Sequence, residues 1–267
     1  MLFIGEKINS SIRKVAAAIE SKDSAFIKKL ATDQVEAGAD MLDVNAGIFL
    51  DREPEFLGWL VQTIQEAVDV PLCIDSPSPE ALRVALSLHR GKALVNSISL
   101  ENDRYTSIVP LVKEFGSSVV ALCMDERGIP HNAATRIDIA CQLAERLESD
   151  TIPTDDIIFD VLVQPISVDN TFGLVALDTV RGINGRIPGA HLTCGLSNVS
   201  FGLPERKLLN STFAAILLSS GMDTFIIDPL DSMIMAILIA SKALTARDEF
   251  CEDYLKAFRS GRLKLHP

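Results

Sequence analysis

The chain has 267 residues, 48% of them apolar and 23% charged, enough for one sizeable core under an ordinary polar surface. A net charge of −11 argues against nucleic acid, whose binders need a positive face to neutralise phosphates, and against docking on anionic lipid. The longest apolar stretch, residues 233–240, is far too short to span a bilayer.

The elements read in chain order as eight short apolar runs with helical periodicity between them. The first run, 2–9, begins at once, with no basic leader ahead of Leu2. A helix over 24–37 opens at Ser24 and stops at Gly38, a residue that takes the left-handed conformation that ends helices. After the second run, 40–47, residues 54–68 carry Phe56, Leu57, Leu60, Val61, Ile64 and Val68 at helical spacing, and Pro71 stops them. The third run, 71–76, leads to Ser78 and Pro79, which open the next helix where a missing N–H costs nothing. Runs at 93–99, 119–125, 157–163, 191–198 and 224–230 then alternate with helices at 105–115, 134–148, 170–183, 205–220 and 231–245. The stretch 184–190 reads as loop. A closing helix after Arg247 has Phe250, Tyr254 and Phe258 on one side. Strand and helix alternating eight times, without repeat or linker, predict a single α/β domain over 1–267, a (β/α)8 TIM barrel.

In that fold the strand ends form one rim, where active sites lie. Asp43, Asn45, Asp75, Asn96, Asp125, Asp160, Asn198 and Asp228 end, or nearly end, the runs and so converge there. Cys73 shares a face with Asp75 by the period of two and lies one layer deeper, and Cys123 and Cys194 read as similar interior packing. Cys73, Cys123, Cys141, Cys194 and Cys251 form no C-x-x-C pair, which indicates reduced thiols in the cytoplasm. Of the histidines, His89 and His266 fall at a helix end and in the tail, and His191 begins its strand at the far end. Only His131 is placed to reach the mouth. No three or four metal ligands converge, so no metal site is expected.

Asp43, Asp125 and Asp228 read first as caps of the helices that follow them. Asp75, Asn96 and Asp160 come from three different strands and read differently. Carboxylates accept paired N–H groups and an amide serves a ring nitrogen or carbonyl, a set that suits a flat heterocycle with an N–H edge, such as a pterin, among many other ligands. In CGLSNVSFGLPERKLLNSTF (194–213), Gly195 permits close backbone approach and Asn198 stands at the strand's end. Ser200 and the turn amides either bind a ligand or cap the helix at Pro204. Arg206 sits in the helix's first turn, where the dipole favours anions. It either helps hold an anionic guest such as a carboxylate or is a solvated arginine.

GEKIN (5–9), LDVNAG (42–47), LCIDS (72–76), VNSIS (95–99), FD (159–160) and GLSNVSFGLPERKLLNSTF (195–213) occur in this order, with RGIP (127–130), SGMD (220–223) and CEDYLKAFR (251–259). On these motifs, and over nearly its whole length, the chain resembles the methyltetrahydrofolate:corrinoid/iron–sulfur protein methyltransferases. It is also similar to the related methyltransferase II components of O-demethylase systems. The resemblance implies a homodimer of barrels, each holding methyltetrahydrofolate at its mouth while a separate corrinoid protein docks above. It implies pterin contacts at Asp75, Asn96 and Asp160, an N5 contact at Asn198, and matching positions at Gly195, Ser197 and Arg206. Phe201 departs from the polar residue of the acetogen enzymes, a change that suits stacking on the aminobenzoyl ring or contact with the corrin.

The reaction implied moves a methyl group between N5 of tetrahydrofolate and the cobalt of the corrinoid, in either direction. Cobalt(I) is itself the nucleophile, so the barrel supplies orientation and electrostatics. The Asn198 amide would strengthen its hydrogen bond as charge develops at N5. No D-x-H-x-x-G corrinoid signature occurs in the chain, so the corrinoid is expected on a partner protein. Two alternatives stand beside this reading. One is a dihydropteroate synthase-like enzyme, although no basic cluster for a pyrophosphate follows the seventh run; the other is a folate-binding subunit without turnover.

Overall fold

Eight parallel strands, β1 (Leu2–Asn9), β2 (Met41–Asn45), β3 (Leu72–Asp75), β4 (Leu94–Ile98), β5 (Ser118–Leu122), β6 (Ile157–Asp160), β7 (His191–Thr193) and β8 (Thr224–Ile227), form one sheet with neighbours in the order β7-β6-β5-β4-β3-β2-β1-β8. A computed structural model describes residues 1–263, so His266 lies outside the described residues. The helical coat is α1 (Arg13–Glu20), α2 (Ser24–Glu36), α3 (Glu53–Gln65), α4 (Pro79–Leu88), α5 (Asn102–Phe115), α6 (Ala133–Ser149), α7 (Phe172–Arg186), α8 (Arg206–Ser220), α9 (Ser232–Leu244) and α10 (Glu252–Arg259). The (β/α)8 reading therefore holds. No described helix is long and apolar enough to cross a membrane.

The helix signals in the sequence act as expected at several ends. Ser78 accepts from the Ala81 N–H with Pro79 in the first turn, and Gly38 follows α2 at φ +111°. Helix α1 is an addition to the expected elements. It has no capping side chain and is only eight residues long, so it lacks a start signal, yet it buries Val15, Ala18 and Ile19. Helix α7 runs on to Arg186, so part of the expected 184–190 loop is helical.

Inside the barrel, Ile4, Met41, Cys73, Leu94, Val120 and Ile158 form a separate apolar floor. One strand repeat nearer the mouth, the inward positions become Glu6, Asp43, Asp75, Asn96 and Asp160. The register aligns Asn9, Asn45, Asp75 and Asn96 as partners across β1 to β4. Cys123 and Cys194 belong instead to the outer core between strands and helices. Their expected interior placement is thus corrected: Val120 on β5 faces in, so Cys123, an odd number of residues on, takes the other side.

Two irregularities shape the mouth. In β1 the pairing slips between Gly5 and Ile8, and the freed Lys7 N–H donates to the buried Gln34 Oε1 at 3.0 Å. A Cβ on Gly5 would stand 2.5 Å from that same oxygen, so the bulge requires glycine. The seam between β7 and β8 has no strand ladder. A single bridge, Gly195 to Ile226, closes its mouth end. At the other end Asp223 accepts from the Leu192 N–H at 2.9 Å and contacts His191 Nδ1 at 2.7 Å.

Candidate active site

Asp75 is held by Asn45, whose Nδ2 donates to its Oδ2 at 3.0 Å. The Asn45 Oδ1 in turn accepts from Ser10 Oγ at 2.8 Å and from the Gly47 N–H at 3.1 Å. This asparagine is fully engaged in fixing its neighbour. Asn96 Nδ2 donates to Asp43 Oδ1 at 3.2 Å. The following residue, Ser97, joined to Asn96 by a cis peptide, is clamped by Arg104, whose Nε reaches its carbonyl at 2.9 Å and Nη2 its hydroxyl at 3.0 Å. Asp160 Oδ1 accepts from the Leu162 N–H at 2.7 Å.

These bonds leave Asp75 Oδ1, Asn96 Oδ1 and Asp160 Oδ2 without protein partners among the described residues. All three residues are half-buried rather than sealed. Three free acceptors on β3, β4 and β6, one layer above the apolar floor, are complementary to N–H donors on a flat ligand.

Asp43 does not cap a helix. It is 3% exposed, lies inside the barrel beside Asp75, and is held well above the ordinary carboxylate range by burial and then by the Asp75 charge. Burial raises Asp75 as well, opposed by the Asn45 hydrogen bond and the Arg104 charge. Burial raises Asp160 to about 6, opposed by the Leu162 N–H and Arg136. A carboxyl with a raised folded pKa keeps its proton in the native state after the unfolded chain has lost its own. Stability is then highest at acid pH and declines as pH climbs from the carboxylate range towards the raised value. Asp43→Asn should flatten that decline. Thermal midpoints of the two proteins should meet near pH 4 and diverge by pH 8, and parallel curves would refute the burial of this charge.

The other expected caps also take different roles. Asp125 pairs with Arg127 at 2.6 Å across a tight turn, away from the floor. Asp228 accepts from the Leu230 N–H at 3.0 Å and from Lys7 Nζ at 2.9 Å, while Asp231 caps α9. His131 stacks on Phe172 with centroids 6.0 Å apart. Among the described residues no three His, Cys, Asp or Glu side chains converge as a metal-holding group.

Strand β7 ends at Thr193, five residues sooner than the periodicity suggested, and Leu196–Ser200 form a 3₁₀ turn. The chain turns there because backbone bonds such as Phe201 N–H to Asn198 carbonyl, 3.1 Å, replace a strand ladder. Asn198 is therefore carried by a turn, exposed on the mouth cleft. A Cβ on Gly195 would lie 3.0 Å from Asn198 Nδ2, so glycine makes room for this amide. Arg206 straps the turn: its Nη2 donates to the Ser197 carbonyl at 2.7 Å and its Nε to Ser200 Oγ at 3.0 Å. Phe201, 64% exposed, follows directly on this turn. A cleft of about 660 Å³ opens here, with Asn198, Ser197, Arg206, Glu6, Lys7 and Asp228 in its wall.

Sequence reasoning did not single out Glu6, Asn45 as a positioner, Arg104 or Arg136. For Glu6 the signal was present, since the period of two from Leu2 and Ile4 leads to it. Arg136 has none. It is a fully buried arginine on α6 whose guanidinium donates to the carbonyls of Pro130, Val161 and Leu162 and to Gln164 Oε1.

A family model described as pterin binding enzyme matches residues 6–228. A methylcorrinoid:tetrahydrofolate methyltransferase of Eubacterium limosum is 38% identical over 265 residues, 98% of either chain. Methionine synthase of Mycobacterium leprae (strain TN) is 28% identical over 240 residues, which are 85% of this chain and 20% of that protein. Among solved structures, dihydropteroate synthase from Xanthomonas albilineans in complex with 7,8-dihydropteroate superposes with a TM-score of 0.71 at 17% identity, covering 92% of this chain and 94% of that one. The likeness at that identity is one of fold.

Proposed function

The chain belongs to the pterin-binding enzyme family, and from that membership we propose that it moves a methyl group between N5 of tetrahydrofolate and the cobalt of a corrinoid carried by a partner protein. The observation that carries the site assignment is the floor of three free acceptors, Asp75 Oδ1, Asn96 Oδ1 and Asp160 Oδ2. The N–H edge of the pterin lies against them, oriented by groups already fixed: Asn45 for Asp75, the Arg104 clamp next to Asn96, and the Leu162 N–H for Asp160. Reduced cobalt, when the partner brings it, supplies the nucleophile. The barrel's task is therefore to hold the folate, exclude water and follow the charge at N5.

The Asn198 amide meets N5 from the turn above Gly195, and the Arg206 strap holds that turn still. Phe201, exposed directly after that turn, lies where the aminobenzoyl ring or the corrin arrives. We read the molecule as a cytoplasmic homodimer, supported by its five free cysteines and by the exposed Leu244, Phe250 and Phe258; molar mass in solution decides the dimer.

Incubation with methyltetrahydrofolate and cob(I)alamin tests the function: methylcobalamin and tetrahydrofolate should form. Condensation of a pterin pyrophosphate instead would mean a dihydropteroate synthase-like enzyme, and folate binding without either reaction a carrier. The site itself is tested by titrating tetrahydrofolate into Asp75→Ala and Asp160→Ala. Each should lose ~1.5–3 kcal/mol of binding, the value of a hydrogen bond to a charged group. Unchanged affinity in both folded variants would reduce these carboxylates to structural roles.

A further inference from the structure

Removing a methyl group from a tertiary amine requires a proton at N5, and the residues assigned so far have none to give. The Asn198 amide is not an acid, the Arg206 guanidinium is committed to Ser197 and Ser200, and Lys7 is paired with Asp228. We propose that Glu6 is the proton-holding group of the methyl transfer, delivering its proton towards N5 as the methyl group leaves and recovering it in the reverse reaction. The inference rests on the methyl-transfer reading above.

Three observations place it there. Glu6 is inward-facing on β1, directly above the apolar floor that includes Ile4, and it shares a cleft wall with Asn198. Among the described residues it is also the carboxyl of that cleft with no hydrogen bond from the protein, whereas Asp228 and Asp231 are both engaged. Its position between the acidic floor and the Arg206 strap gives mixed surroundings. Burial first and Asp228 second raise its pKa to about 7, against the pull of Lys7 and Arg206. Asp43 on β2 and the Cys194 thiol on the β7 side are the other titratable groups coupled to it. A group that is half protonated near neutral pH suits both directions of proton transfer.

Glu6 also borders a second, smaller chamber of about 40 Å³ behind the cleft, between β8, α8 and α9. Asn210 Oδ1 and Ser211 Oγ, both in its wall, are buried without partners among the described residues. A space of that size with two unpaired polar atoms in its wall admits a water. It gives Glu6 a route for proton exchange from behind while a corrinoid protein covers the front.

The step balances. The cobalt(I) electron pair forms the bond to the methyl carbon, the C–N5 pair returns to nitrogen, and the Glu6 proton completes an N5–H. Cobalt goes formally from I to III, and tetrahydrofolate and a Glu6 carboxylate remain. In reverse, the N5 pair attacks the methyl carbon, cobalt keeps the Co–C pair, and the carboxylate takes the proton.

The test is single-turnover transfer in both directions with free cobalamin from pH 5.5 to 8.5, using the full chain, Glu6→Gln and Glu6→Asp. The wild-type rate of methyl removal should fall through a break near neutral pH as pH rises, and the reverse rate should rise. Glu6→Gln should lose the break and be on the order of 100-fold slower or more, with tetrahydrofolate affinity changed by a few-fold at most. Glu6→Asp should keep a displaced break. Calorimetry of tetrahydrofolate binding in buffers of different ionisation enthalpy should show proton exchange that Glu6→Gln reduces, the remainder belonging to the carboxylates beneath the pterin. A Glu6→Gln protein that keeps the wild-type rate or break, or whose loss lies wholly in folate affinity, overturns the assignment. Wild-type protein that binds folate but transfers no methyl group fails the functional reading first, and the Glu6 role falls with it.

Discussion

Replacing Asn198 with alanine is expected to slow methyl transfer at saturating folate by on the order of 10²–10³, the usual loss for one preorganised donor at a centre of developing charge. The turn at Leu196–Ser200 explains why the effect should be kinetic. Its backbone bonds, the Ser197 and Ser200 contacts to Arg206, and the space above Gly195 do not depend on the Asn198 side chain. The variant should keep its fold and most of its floor contacts with the pterin, so folate affinity should fall less than tenfold. On the proposed assignment, what is lost is an amide aimed at a nitrogen whose charge changes only during transfer, which is transition-state binding by definition. Equilibrium folate titration beside single-turnover transfer to cob(I)alamin separates the two. A wild-type rate at saturating folate would remove Asn198 from the reaction.

The second large effect belongs to Arg136. Its side chain is fully buried, and one guanidinium satisfies the carbonyls of Pro130, Val161 and Leu162 together with Gln164 Oε1, at 2.5–2.9 Å. Arg136→Met fills similar volume but leaves several buried acceptors unpaired, each costing ~1–3 kcal/mol. A total of ~3–5 kcal/mol of unfolding free energy should disappear in denaturant titration. Arg136→Lys restores the charge without the planar fork and should recover only part. The loop of Val161, Leu162 and Gln164 follows directly on Asp160 at the end of β6, and Arg136 opposes the burial that raises the Asp160 pKa. Folate binding in the surviving folded protein should therefore weaken at neutral pH as Asp160 gains its proton more readily. A stability loss under 1 kcal/mol in both variants would show that the loop holds itself.

The two residues mark the limit of what a linear reading reaches. Asp75, Asn96 and Asp160 were legible because each ends an apolar run, and a parallel barrel sends all such ends to one rim. Asp43 ends a run too, but the capping reading misjudged it, since whether a strand-end carboxylate turns back to its helix or into the barrel depends on its neighbours' register. The expected strand over 191–198 followed a real alternation of side chains. A ladder needs a partner strand, however, and β8 meets β7 only through the Gly195 bridge. Asn198 thus reached the expected mouth on a different carrier.

The sequence by itself determined the eight-fold alternation, the rim on which the strand-end side chains gather, the three acceptors from separate strands and the glycine beneath Asn198. These are consequences of local periodicity and backbone sterics, which act over a few residues and so are written in neighbouring letters. Only the tertiary structure decided that Asp43 lies sealed beside Asp75, that Asn45, Arg104 and Arg136 hold the rim's parts, and that Glu6 has no hydrogen-bond partner among the described residues. Charge states and hydrogen-bond partners depend on distance through space and on removal from water. Residues such as Arg136 and Leu162, 26 positions apart in the chain yet 2.7 Å apart at their bonded atoms, acquire their relation only when the barrel closes.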